Sequence, residues 1–152
     1  MASWRAVVLI QERVEFQGDR ATVWGRLSAI ERIPEFWHGT RSLQILQRGS
    51  DGPGRETVKA RAKFAFGGSG DVAITSDGAT MTLTSDYTSG PFRGTQVVRV
   101  VGNAIEARWD VNFTGVFKLT SGWTGSHFKS GTLHALQRLC AKEAPGQKVA
   151  QS

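Results

Sequence analysis

The residues of this chain that could do chemistry are few, and their spacing argues against most of it. His38, His127 and His134 are its three histidines and Cys140 is its one cysteine. No spacing among them matches a metal site with its usual carboxylate or cysteine partners. His127 and His134 stand seven apart, so a helix would carry both on one face, where they read as partly exposed positions. Ser69, inside Gly68-Ser69-Gly70, lacks the strand-to-helix elbow that exposes a nucleophile. The same glycines open no helix and precede no lysine, so they do not make a phosphate loop. Most of the thirteen Asp and Glu residues fall at turns or on outward strand positions, leaving no pair set for acid–base work. Ser85, Tyr87 and Arg99 are the polar residues that can point inward. Tyr87 is the only tyrosine, and a buried hydroxyl needs a partner, so a structural hydrogen bond is expected for it. Arg99 turned inward would anchor the carboxylate of an amphipathic ligand, and turned outward it is one more surface cation. No catalytic residue, metal or cofactor is expected.

The elements that must position these groups follow from periodicity. A strand pattern runs from Trp4 to Phe16, a helical pattern from about Arg20 to Arg32, and six strand-like runs lie between Leu43 and Lys118. Ile105, Ala107, Trp109, Val111 and Phe113 alternate with Glu106, Arg108, Asp110, Asn112 and Thr114, a clear period of two whose apolar members face inward. Val58, Ala60, Ala62, Phe64 and Phe66 form the inner face of another strand, with Lys59, Arg61 and Lys63 on its solvated side. Val72 and Ile74 point inward on the next, Asp77-Gly78 predicts a two-residue turn, and Met81, Leu83, Ser85 and Tyr87 continue the inner face. Ser89 to Gly94 reads as a loop, and Thr95 to Val101 is apolar on both faces, which leaves its register open. Such a sheet needs a cover. The amphipathic stretch from about Ser126 to Glu143, with Phe128, Ala135, Leu136, Leu139 and Cys140 at helical spacing, is the remaining segment able to supply it.

Composition sets the class. A chain of 152 residues with 39% hydrophobic content can bury one core, and no linker divides it, so a single domain over 1-152 is expected, with 144-152 as a flexible tail. Eighteen glycines fall mostly between strand runs, as hairpins require. One cysteine permits no intrachain disulfide, and on the apolar stripe of a helix it reads as a small buried hydrophobe. No targeting signal or run of membrane-spanning length is evident, so a cytoplasmic protein without an integral membrane segment is expected. The net charge of +6 raises the question of nucleic acid. The cations lie opposite the aromatics instead of among them, which speaks against base stacking and so against nucleic-acid binding.

Val14-Glu15-Phe16, Arg20-Ala21-Thr22-Val23-Trp24-Gly25-Arg26-Leu27-Ser28 and Ile33-Pro34-Glu35-Phe36-Trp37 together resemble the opening of the SRPBCC (START-like) superfamily, especially its polyketide cyclase/dehydrase-like branch. Ile105 to Phe113 is similar to that family's final strand and Gly131 through Leu139 to its closing helix, so the resemblance covers about Arg5 to Ala144. It implies an α+β helix-grip fold, a curved antiparallel sheet of about seven strands around a long C-terminal helix, with a short helical segment after strand one. It also implies a hydrophobic cavity between sheet and helix, and His38 lies where family cavities commonly open. The family includes lipid and sterol carriers, aromatic polyketide cyclases, plant hormone receptors, chaperone activators and accessory proteins associated with carbon monoxide dehydrogenase. The expected role is binding or transport of a hydrophobic small molecule, with a cyclase/dehydratase-type enzyme or a protein similar to the carbon monoxide dehydrogenase accessory group as alternatives. Against the accessory role, the tail lacks a hydrophobic anchor and no glycine follows Pro34 directly.

Ala60, Ala62 and Ala107 either make room for the closing helix or widen the pocket, and the pocket is the expected reading. Its candidate lining is Trp37, Phe64, Ile74, Met81, Leu83, Tyr87, Arg99, Trp109 and Phe113 from the sheet and first loop, with Phe128 and Leu136 from the helix. Some of these must be plain core, because the narrow end of such a fold is packed solid.

Overall fold

The computed structural model describes residues 7–114 and 121–142. The expectations for Trp4 to Ala6, for Lys118, for Glu143 and for the tail lie outside the described residues. Strand β1 (Val7–Glu15) leads to Phe16, whose N–H donates to the carbonyl oxygen of Asn103 at 2.8 Å. Asp19 then caps α1 (Arg20–Leu27) by accepting from the Ala21 N–H at 3.2 Å. The single helical pattern expected through Arg32 is interrupted. After Leu27 come a 3-10 turn (Ile30–Arg32) and the short helix α2 (Ile33–Phe36). Pro34 explains the restart: without an N–H it is tolerated in the first turn of a helix and not deeper, so the chain around it begins a new one.

Six strands follow as a meander: β2 (Thr40–Ser50), β3 (Arg55–Phe64), β4 (Ser69–Asp77), β5 (Thr82–Tyr87), β6 (Phe92–Val101) and β7 (Ala104–Phe113). The sheet order is β1-β7-β6-β5-β4-β3-β2, antiparallel throughout. The chain therefore crosses from one sheet edge to the other through α1 and α2. At the β2 edge, two register shifts, at Thr40/Ser42 and Ile45/Gln47, bend the strand as bulges do.

Two sequence expectations are corrected here. Phe92 opens β6 instead of lying in a loop, and the undecided register resolves with Phe92, Gln96, Val98 and Val100 inward and Arg93, Arg99 and Val101 exposed. Gly94 makes this possible. Its φ is +145°, and a Cβ there would lie 2.0 Å from the carbonyl oxygen of Asp110, so only glycine lets β7 approach this closely. The second correction is the turn before β5. Asp77 pairs with Thr82, so the connection holds four residues and not two, stabilised by Asp77 Oδ1 accepting from the Ala79 N–H at 3.1 Å. Met81 closes it in the left-handed region, at φ +49°, which removes its side chain from the strand alternation.

Helix α3 (Ser121–Cys140) is the cover, starting at Ser121 where the sequence pattern suggested Ser126. Ala135, Leu136 and Leu139 are fully buried. Lys129 meets Glu12 of β1 at 2.5 Å, and Arg138 donates to the Phe36 carbonyl oxygen at 2.9 Å. Arg26 of α1 donates to the carbonyl oxygens of Leu139 (3.0 Å), Ala141 and Lys142 (3.3 Å), satisfying acceptors that the end of α3 leaves unpaired. Arg26→Ala is expected to lower unfolding stability by about 1 kcal/mol, with Arg26→Lys recovering only part because one ammonium cannot fork across several carbonyls. Urea denaturation checks this, and an unchanged midpoint would mean that water replaces the guanidinium at no cost.

Candidate functional site

The inner face of the sheet has two ends of different character. At one end Val58, Ile74, Leu83, Val98, Val100 and Ile105 are buried in one cluster with Val23, Leu27 and Ile30. Ile74, Leu83 and Leu136, expected in the cavity, are fully buried members of this core. Ala60, Ala62 and Ala107 are buried too and lie outside the cavity lining, so the packing reading of these small residues holds.

At the other end, α3, the Trp37–Thr40 segment and the strands enclose a cavity of about 470 Å³. Among the described residues seven aromatic side chains line it: Trp37, Phe64, Phe66, Tyr87, Phe92, Trp109 and Phe128. Of these, Trp37, Phe64, Tyr87, Trp109 and Phe128 are candidates named from the sequence. Phe66 and Phe92 were missed as lining residues, Phe92 because its strand start read as loop. Phe113 stands one layer back, edge-on to Phe128 at 5.2 Å and to Phe92 at 6.3 Å between ring centroids. Met81 lies in its turn, half-buried against the core. Arg99 is exposed on the outward side of β6, opposite Glu106 of β7, because it alternates with the inward Val98 and Val100. The inward anchor considered for it is therefore corrected: Arg99 is a surface cation.

Trp109 is the centre of the ring cluster. Its ring stacks on Tyr87 at 5.7 Å and meets Phe128 at 5.1 Å, Phe92 at 5.9 Å and Trp37 at 6.4 Å, edge-on or nearly so in the last three. Its indole Nε1–H donates to Thr132 Oγ1 at 3.0 Å, and Thr132 in turn donates to the Phe128 carbonyl oxygen at 2.6 Å. This two-bond relay fastens β7 to α3 beneath the cavity. Tyr87 differs. It is 8% exposed, its ring lines the cavity, and its hydroxyl makes no hydrogen bond among the described residues, so the structural partner expected for it is not found there. Burial holds its phenol above the usual tyrosine range, so the group remains a neutral donor and acceptor.

The rim is built from exposed residues. His38 and Gly39 contribute from the loop after α2, Ala65 from the end of β3, and His127, Ser130, Gly131 and His134 from α3. The Ala65 N–H donates to the Gly39 carbonyl oxygen at 2.9 Å, joining the first two of these segments. The three histidines are exposed, and they share one cavity mouth. Seven-residue spacing was the available signal for His127 and His134; nothing local ties His38 to them. Among the described residues no group of three or more His, Cys, Asp or Glu is arranged to hold a metal ion. Burial pushes the Cys140 thiol up to about 11 against a weaker pull from Arg26, so this half-buried residue acts in packing rather than as a nucleophile.

A seven-stranded antiparallel sheet gripping a C-terminal helix, with an apolar cavity at one end, defines a helix-grip fold. The likeness to solved structures agrees. A START superfamily protein from Mycobacterium smegmatis is 17% identical, with a TM-score of 0.57 over 86% of this chain and 98% of that one. Zhui aromatase/cyclase from Streptomyces is 13% identical, with a TM-score of 0.63 over 91% of this chain and 99% of that one. An 18 kDa protein from Caulobacter crescentus is 16% identical, with a TM-score of 0.57 over 88% and 97%. The chain has the START-like helix-grip fold that these proteins share, as the resemblance of its opening segments, last strand and closing helix implied. No family model and no curated protein matches its sequence. Among the described residues no helix is long and apolar enough to cross a membrane.

Proposed function

We propose that this protein binds or carries an apolar small molecule in the cavity between α3 and the sheet. The observation that carries this reading is the cavity of about 470 Å³ walled by seven aromatic residues, a size within the range of small-molecule sites, roughly 300 to 1,000 Å³. Rings left beside open volume lack contact partners on one side, and a ligand with apolar surface supplies them. Tyr87, Thr40 and Thr132 are the buried polar residues among the described lining, and their hydroxyls are the groups such a ligand's polar atoms would meet within the walls.

Native mass spectrometry of the purified protein, followed by solvent extraction, tests the reading. A lipid, fatty acid or aromatic compound carried at near one-to-one ratio is the expected result. A protein that comes empty and also fails to bind a hydrophobic fluorescent probe would refute it and favour an accessory role exercised at the surface. A cyclase/dehydratase reading, prompted by the aromatase/cyclase likeness, needs an acid or base beside the ligand. Among the described residues Tyr87 and the rim histidines are the titratable groups that line the cavity, and turnover of the extracted compound would favour it.

A further inference from the structure

We infer that the ligand is an amphipathic acid, seated with its apolar body among the rings and its anionic group at the histidine-lined mouth. This rests on the reading of the cavity as a ligand site and adds the polarity and orientation of the ligand. Among the described residues the cavity lining contains no Asp, Glu, Lys or Arg; its titratable residues there are Tyr87, within the walls, and His38, His127 and His134, at the rim. An imidazole offers an anion one N–H donor when neutral and two donors with a positive charge when protonated. The His134 ring makes no hydrogen bond or ion pair among the described residues. His38 Nε2 lies 3.2 Å from the Glu35 carbonyl oxygen, which accepts, so this contact orients the ring, and His38 has a donor left for an anion only with both ring nitrogens protonated.

The surroundings favour the same sign. Glu35, three residues before His38, is engaged by Arg32 at 2.8 Å, and Glu12, across from α3, is engaged by Lys129 at 2.5 Å. Both carboxylates are therefore paired, and the chain as a whole carries +6. Aromatic walls by themselves would also suit a quaternary ammonium through the faces of their rings. A rim of imidazoles on a cationic protein works against that occupant and for an anion. Trp109 does not compete for the anionic group, since its N–H is already given to Thr132.

The experiment compares three probes of one shape on the intact protein: 2-naphthoate, 2-naphthamide and 2-naphthyltrimethylammonium, each titrated calorimetrically at low salt. The naphthoate is expected to bind about tenfold or more tighter than the other two. In the His38→Gln, His127→Gln, His134→Gln triple variant the acid-to-amide ratio should fall to near one. All three positions are exposed, so the variant should fold, and circular dichroism checks that it does. An amide or ammonium that matches the acid, or an acid preference that survives in the triple variant, overturns the inference while leaving the cavity as a binding site. Failure of all three probes to bind overturns both.

Discussion

Trp109→Ala is expected to destabilise the protein by about 3 to 5 kcal/mol, the range of aromatic truncations in cores, and to lower its melting midpoint by about 10 °C. The residue is 7% exposed and touches four other rings. Truncation removes its apolar burial and leaves Phe128 and Tyr87 facing a void that merges with the cavity. It also deprives Thr132 of the donor that fastens α3 to β7. Trp109→Phe separates these effects, since it retains a ring but no N–H, and should cost about 1 to 2 kcal/mol. Arg61→Ala is the control. Arg61 is half-exposed on the outer face of β3 and meets Asp71 at 3.0 Å, an exposed pair whose loss should cost about 0.5 kcal/mol or less. Chemical denaturation of the three variants beside the parent measures all of this. Equal losses at Trp109 and Arg61 would mean that the ring cluster contributes nothing to the fold beyond an ordinary surface pair.

That contrast was legible in the sequence because β7 alternates without a fault from Ile105 to Phe113, and alternation states which side is buried. The same rule failed wherever backbone geometry broke the period. Gly94 carries no side chain to mark a face, and Val97, Val98, Val100 and Val101 are apolar on both sides of β6, so the position of Arg99 had to come from pairing with β7. Met81 kept the phase of Leu83 and Ser85 on paper, but its left-handed backbone takes it out of the strand. The division between solid core and cavity was beyond periodicity altogether. Ile74 and Tyr87 are equally inward on neighbouring strands, yet only Tyr87 lies at the open end. Which end is open depends on where α3 lies across the sheet. The helix packs mainly over β1 and β7, pinned by Lys129 to Glu12 and by Arg26 at its C-terminal end. The histidine rim was illegible for the same reason, since it is assembled from α3 and a loop some ninety residues earlier in the chain.

The largest effect on binding is expected from a residue with no side chain. Gly131 lies mid-helix in α3, on the cavity rim, one turn after His127 and one turn before His134. Glycine in a helix interior costs about 0.5 to 1 kcal/mol relative to alanine, so a glycine here needs another reason. Its backbone supplies none: φ is not in the positive range, and a Cβ at this position would meet nothing within 4 Å. What the missing side chain leaves is an uncovered stretch of helix beside the opening. Gly131→Ala should therefore raise stability by about 0.5 to 1 kcal/mol and leave the opening nearly as wide. Gly131→Phe should fold as well. A helical side chain leans toward the N-terminal turn, so its ring would lie over the stretch between His127 and Phe128, across the mouth. Binding of an apolar fluorescent probe should then weaken by about tenfold or more, a loss of about 1.4 kcal/mol or greater, with the on-rate falling most. Stopped-flow mixing of the probe with both variants reads the effect directly. If the phenylalanine variant takes up the probe as fast and as tightly as the parent, entry does not pass over Gly131, and the glycine would have to be explained by something other than access.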